Sequence, residues 1–245
     1  PRQYKEYATA RASYDEVKKV LGLMGLGDKY AVVRGAEKGM DSEDRPEDSE
    51  GAQFIIRQAL KDDPRPLYIA CQGAVTDVAS ALLLKPEIAE KVIVIWVGGG
   101  TYPEGGFEFN LAMDINAANA LFSSAAEVWQ IPMDVYKTFA VSLAELQMKV
   151  RPCGKLGEYL FRELIEVNEE VSGADMIWPH GEIWGLGDQA SVAVLMEELE
   201  RKSYELIDAP RIAEDMTYLH GQSGRKKIRV YKTADTRLTL EDFFA

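Results

Sequence analysis

The run Val92-Ile93-Val94-Ile95-Trp96-Val97, followed by Gly98-Gly99-Gly100, decides the fold class. It is the most hydrophobic stretch of the chain, apolar at every position rather than at alternate ones. A strand of this kind is buried on both faces, as a central strand of a parallel sheet is. Working outward, Leu67 to Cys71 reads as a second buried strand and Val128 to Ile131 as a third. Apolar residues recur at helical spacing from Ala52 (Ile55, Ile56, Ala59, Leu60), and Thr76 to Leu84 reads as a helix capped by Thr76 or Asp77. Asp114 caps a helix through Phe122, Ser142 and Glu145 form a capping box, and Lys155 to Val167 is amphipathic. Asp188 opens a helix to about Glu200. The alternation predicts an α/β layered domain, with a mostly parallel central sheet flanked by helices.

The ends of the chain differ from its middle. Ser13 and Glu16 form a capping box for a helix through Met24, stopped by Gly25 and Gly27. The β-branched run Tyr30 to Val33 reads as a short strand. Glu37 to Glu50 is acidic and polar, is broken by Pro46, and reads as a mobile surface loop. Tyr204 to Ile207 and Lys227 to Tyr231 look like a small antiparallel hairpin, with a helical turn at Leu240 to Phe244.

Composition narrows the function classes. The 245 residues suit one domain, expected here over 1–245, and 47% hydrophobic content supports a large core. A net charge of −12 argues against nucleic-acid polymers, which need basic stripes. No run approaches the ~20 apolar residues of a membrane helix. Two cysteines, Cys71 and Cys153, make no disulfide framework and point to a reducing, cytoplasmic setting.

Ligands of open α/β sheets bind at the carboxyl ends of the strands. That directs attention to Gln72–Thr76, Gly98–Asn110, Pro132–Thr138 and the stretch before Asp188. Gly73 permits a sharp turn whose carbonyls can face a cation, although a plain capped turn fits the spacing as well. The three glycines can approach a phosphate or sugar, but no helix follows them as a dinucleotide fingerprint requires. In an extended Glu108-Phe109-Asn110, Glu108 and Asn110 converge on one ligand, a carboxylate and a carboxamide suited to hydroxyls. The same residues serve equally to cap or solvate a loop. In His180-Gly181-Glu182-Ile183-Trp184-Gly185-Leu186-Gly187-Asp188, the tryptophans Trp178 and Trp184 can stack a flat ring, while Asp188 alone is an ordinary N-cap. Metal-protease, zinc-ribbon, P-loop and serine-elbow motifs are absent from the sequence.

Taken in order, Gly73-Ala74-Val75-Thr76-Asp77-Val78-Ala79 through Pro86-Glu87-Ile88, Val97-Gly98-Gly99-Gly100, Glu108-Phe109-Asn110 and Asp114 with Ala117-Ala118 make a pattern. With Arg34-Gly35-Ala36, it resembles the nucleoside hydrolase family of inosine–uridine preferring nucleoside N-ribohydrolases. The resemblance implies calcium-dependent (Ca2+) hydrolysis of the N-glycosidic bond of ribonucleosides. It implies Thr76, through its carbonyl, and Asp188 as metal ligands. It further implies Val97, Glu108, Asn110 and Asp188 around the ribose of a nucleoside substrate, in a cytoplasmic homo-oligomer serving purine and pyrimidine salvage. Hard oxygen donors suit calcium, and surrounding carboxylates favour an oxocarbenium-like transition state.

Two departures accompany the resemblance. The family's opening Asp-x-Asp-x-x-x-Asp-Asp strand, with its water-activating aspartate, has no counterpart here. The acidic run at Asp41, Asp44 and Asp48 follows no buried strand. The expectation is that a preceding β-α-β segment carrying those aspartates completes the sheet, as a separate N-terminal piece or as part of a longer chain. The second departure is Gly187, where many members carry a histidine that protonates the leaving base; His180, Glu182 and Trp184 are the nearby candidates. Two alternatives stand beside the hydrolase: a catalytically inactive riboside-binding member of the fold, and a doubly wound nucleotide-binding module.

Overall fold

The computed structural model describes residues 9–27, 29–171, 181–197, 203–221 and 224–245. Its helices, in chain order, are α1 (Thr9–Leu23), α2 (Glu50–Ala59), α3 (Thr76–Leu84), α4 (Phe109–Met113), α5 (Ile115–Ser123), α6 (Met133–Tyr136), α7 (Leu143–Lys149), α8 (Gly154–Val171), α9 (Ala190–Met196) and α10 (Thr236–Phe244). Its strands are β1 (Leu67–Cys71), β2 (Val92–Val97), β3 (Glu127–Ile131), β4 (Ala140–Ser142), β5 (Ile183–Gly185), β6 (Tyr204–Asp208), β7 (Arg211–Ile212), β8 (Tyr218–Leu219) and β9 (Lys227–Tyr231).

The main sheet runs β1-β2-β3-β9-β6. Its first four strands are parallel and β6 is antiparallel to β9. Cys71 lies opposite Trp96 and Val97 opposite Ile131, so the carboxyl ends of β1, β2 and β3 share one edge. The unbroken apolar run of β2 now has its reason. Val92, Val94 and Trp96 pack on one face with α2, α3 and α5 residues, while Ile95 and Val97 pack on the other with Val135, Ala190 and Val194. A third cluster, around Val141, Leu146, Val150 and Phe161, holds α7, α8 and the small β4–β5 ladder together. Among the described residues no helix is long and apolar enough to cross a membrane.

Several local expectations give way to tertiary contacts. Tyr30 to Val33 forms no strand: among the described residues no strand lies alongside to receive its backbone. Just beyond it, the Arg34 amide donates to Glu50 Oε2 and its carbonyl accepts from the Gly51 amide. Ser13 and Glu16 lie inside α1 rather than at its start, and Glu16 accepts from the Tyr159 hydroxyl of α8. Neither Thr76 nor Asp77 caps α3, whose N-cap is Val75 without a side-chain bond. β1 is a half-exposed edge rather than a buried strand, with Tyr68 and Ala70 open. Tyr204 to Ile207 and Lys227 to Tyr231 do pair antiparallel as expected, as part of β6 and β9, and this pair extends the main sheet.

The acidic stretch 37–50 is docked, not mobile. Its Met40 is buried, and the Met40 amide donates to Asp114 Oδ2 at 2.9 Å. Asn116 Nδ2 donates to the Met40 carbonyl, and the Glu47 amide to Ser80 Oγ. Arg211 clasps Glu43 with two bonds, of 2.7 and 3.1 Å. The acids Asp41, Asp44 and Asp48 do remain at the surface, bonded to Lys38, Ser42 and Gln53.

Candidate active site

The carboxyl edge of the sheet is built on a buried carboxamide. Gln130, wholly buried in β3, donates from Nε2 to the Gly98 carbonyl (3.0 Å) and to Tyr218 Oη (3.0 Å). Its Oε1 accepts from the Tyr102 hydroxyl at 2.7 Å, and the Tyr218 hydroxyl reaches the Gly100 carbonyl at 3.2 Å. Gly99 adopts φ +90°, and a Cβ there would overlap both the Gln130 carboxamide and the Tyr218 hydroxyl. The glycine turn therefore accommodates the protein's own side chains, where its sequence suggested room for a ligand.

Glu108 secures the same turn from the other side. The segment around it is not extended: Glu108 is the N-cap of α4. Its side chain, 0% exposed, accepts from the amides of Gly99 (2.7 Å), Leu111 (2.9 Å) and Asn110 (3.1 Å) and from the Tyr136 hydroxyl (2.8 Å). Asn110 Nδ2 donates to the Val97 carbonyl at 2.8 Å, while the Val97 side chain is buried in the core.

Asp188 comes to this edge from far along the chain. It does not open a long helix; it sits in a short 3-10 turn, Gly187–Gln189, ahead of α9. Gln72, just past β1, donates to the Asp188 carbonyl (3.1 Å) and to Ser191 Oγ (2.9 Å), which fixes the turn against the end of β1. The Asp188 residue is open to solvent, and its carboxylate makes no hydrogen bond among the described residues. Desolvation of the carboxylate, with the charge of Glu108 adding to it, raises its pKa to about 6. Tyr136 is near both carboxylates, bonded to Glu108 and within the electrostatic influence of Asp188. Burial and the neighbouring Glu108 hold its phenol above the ordinary range, and Asp188 adds to the effect. A Cβ at Gly187 would lie 2.9 Å from Tyr136 Cδ2, so the tyrosine ring fills the space a side chain at 187 would need.

The other candidates fall differently. The Thr76 hydroxyl donates to Asp114 Oδ2 at 2.6 Å, and Asp114 Oδ1 caps α5 through the Ala117 amide, as expected for that residue. Asp77 is equally structural, accepting from the Ala36 amide and from Ser49 Oγ. Trp184 lies in β5 and packs against the Val141 cluster instead of standing in an open loop. Glu182 is exposed, and its carbonyl accepts from the Leu143 amide. His180 and Trp178 lie outside the described residues. Burial pushes the Cys71 thiol up to about 12, away from the thiolate form.

The calcium ligands that the resemblance implies, the Asp188 carboxylate and the backbone carbonyl of Thr76, are hard oxygen donors of the kind the ion prefers. These are two of the six to eight oxygens the ion takes. Among the described residues no group of three or more His, Cys, Asp or Glu side chains is placed to hold a metal.

A family model for the inosine-uridine preferring nucleoside hydrolases matches residues 5–240. The chain belongs to this family. A nucleoside hydrolase of Leishmania major, inosine-uridine preferring, is 28% identical over 106 residues, 42% of this chain and 33% of that protein. A pyrimidine-specific ribonucleoside hydrolase of Salmonella arizonae is 27% identical over 139 residues, 53% of this chain and 44% of its own length. The chain thus spans about a third to under a half of these curated relatives. A plant nucleoside hydrolase structure superposes with a TM-score of 0.74 at 16% identity, over 96% of this chain and 85% of that one, a likeness of fold.

In this member of the nucleoside hydrolase family, three residues at the sheet edge escape a reading by motif. Gln130 had a signal, a lone carboxamide inside an apolar strand. Tyr136 lies in the Pro132–Thr138 stretch that the strand-end rule already marked. Gln72 lies in the turn next to Gly73, but nothing local ties it to a residue more than a hundred positions away.

Proposed function

We propose that the whole protein hydrolyses the N-glycosidic bond of ribonucleosides, releasing ribose and free base. The observation that supports this reading is the convergence of Glu108, Asn110 and Asp188 on one sheet edge of a nucleoside hydrolase-family chain. Asp188, solvent-open and without a side-chain partner among the described residues, is the oxygen donor ready for a ribose hydroxyl or a cation. Calcium, when bound, would supply a polarised water and a grip on the ribose diol, with Asp188 and the Thr76 carbonyl as the ligands this chain offers. Glu108 and Asp188 together give the edge a negative potential, which favours positive charge developing on the sugar. On the leaving-group side, the packing of Trp184 against the Val141 cluster leaves His180 and Glu182 as the proton carriers of this proposal.

The water-activating aspartate belongs to a further segment pairing with β1. The half-exposed outer edge of β1, unpaired among the described residues, supports that placement. A cytoplasmic, self-associating protein acting in nucleoside salvage completes the proposal. A second reading, riboside binding without cleavage, is favoured by one observation: the family's Asp-x-Asp-x-x-x-Asp-Asp motif has no counterpart in residues 1–245.

The test is direct. Full-length protein is assayed on p-nitrophenyl riboside and on a panel of purine and pyrimidine nucleosides, with calcium and after chelation. Release of sugar that chelation abolishes is the expected result. Binding without release supports the second reading, and neither binding nor release overturns both.

A further inference from the structure

We propose that Tyr136 is a specificity-determining residue, whose hydroxyl holds Glu108 until a sugar hydroxyl takes its place. The inference rests on the ribonucleoside reading above and adds one residue to it. Glu108 accepts four hydrogen bonds and has no exposed surface. Three donors are backbone amides, of Gly99, Asn110 and Leu111, fixed by the glycine turn and the first turn of α4. The fourth, the Tyr136 phenol, is the one carried on a side chain. An ionised carboxylate offers about four acceptor positions, and all are taken. A ligand hydroxyl reaching Glu108 therefore displaces the phenol.

The exchange is cheap for the right ligand and costly for the wrong one. One O–H donor leaves as another arrives, so Glu108 keeps its full set of partners throughout. A ligand lacking that hydroxyl would leave the buried carboxylate short of a donor if the phenol moved, so it is refused. The ring also has a wall behind it. Its flank lies against Gly187, with no room for even a Cβ between them, so it is closed off on the side of the turn that carries Asp188. Tyr136 thereby touches both the carboxylate of Glu108 and the turn that carries Asp188.

The experiment compares the full-length parent with Tyr136→Phe on p-nitrophenyl riboside and on its 2-deoxy, 3-deoxy and 5-deoxy counterparts. Phenylalanine keeps the ring against Gly187 and removes only the hydroxyl. KM for the riboside, or Kd by calorimetry where binding occurs without turnover, should fall about three- to tenfold, the worth of one net hydrogen bond. The gain should vanish for the one deoxy counterpart that lacks the hydroxyl Glu108 takes. A merely structural tyrosine would instead change all four substrates alike. An unchanged or raised KM for the riboside, or a uniform change across the four, overturns the exchange and leaves riboside hydrolysis standing. A parent that neither cleaves nor binds any of the four overturns the ribonucleoside reading, and the exchange with it.

Discussion

Glu108 and Asp188 are two carboxylates on one sheet edge, close enough to feel each other's charge, yet they live in opposite circumstances. Glu108 is sealed and fully bonded, three of its partners being backbone amides. Asp188 is open, makes no carboxylate hydrogen bond among the described residues, and holds its proton up to about pH 6. Glu108 is tied into the framework that shapes the edge, and a ligand can reach it only by taking the position of the Tyr136 phenol; Asp188 is the group left open. A residue's presence in a functional motif does not say which of these it is. Its count of satisfied bonds does.

The comparison can be broken by substitution. Glu108→Ala should cost the most: three amides and a phenol lose their acceptor in a dry site, worth about 3 kcal/mol or more. Denaturant unfolding of the full-length protein measures it, and a loss under about 1 kcal/mol would show that Glu108 is not framework. Asp188→Ala should leave that unfolding curve nearly in place and act on function instead. Its expected cost is about 10–100-fold in kcat/KM, with calcium binding abolished in calorimetry. If both variants lose stability alike, the distinction between the two carboxylates fails.

A smaller effect sharpens it. The folded-state pKa of Asp188, about 6, lies above the ordinary carboxylate value, so folding favours the protonated acid. The stability this gives is fully present below about pH 4 and is lost as the pH rises through 6. Solvent access keeps the effect modest. Thermal unfolding between pH 4 and 7 should therefore decline slightly more in the parent than in Asp188→Asn, which cannot ionise. Identical pH profiles would show that Asp188 ionises like an ordinary surface acid.

Much of the fold was readable because its signal is local. β2 announces itself by six apolar residues in a row, and Ser142 caps α7 through the Glu145 amide as its spacing implies. What failed were elements whose state depends on a distant partner. Tyr30 to Val33 has strand composition but, among the described residues, no neighbouring strand. The stretch 37–50 looks like solvent-exposed chain, yet buried Asp114 and Ser80 receive its amides. At the site, the pattern Glu108-Phe109-Asn110 was legible and its geometry was not. A period of two was assumed where Glu108 in fact starts a helix. Tyr136 carried no motif at all, since its importance arises only when Gly187 and Glu108 meet it in space.

The clamp of Gln130 and Tyr218 beneath Gly98–Gly100 has a consequence for the entropy of binding. Three successive glycines in a free loop would wander widely, and ordering them on a ligand would cost about 1–2 kcal/mol per residue. Here that freedom is surrendered once, during folding, to a carboxamide and a phenol already in the core. A ligand arriving at this rim meets a surface that has no disorder left to lose, and can dock on it as on a rigid body.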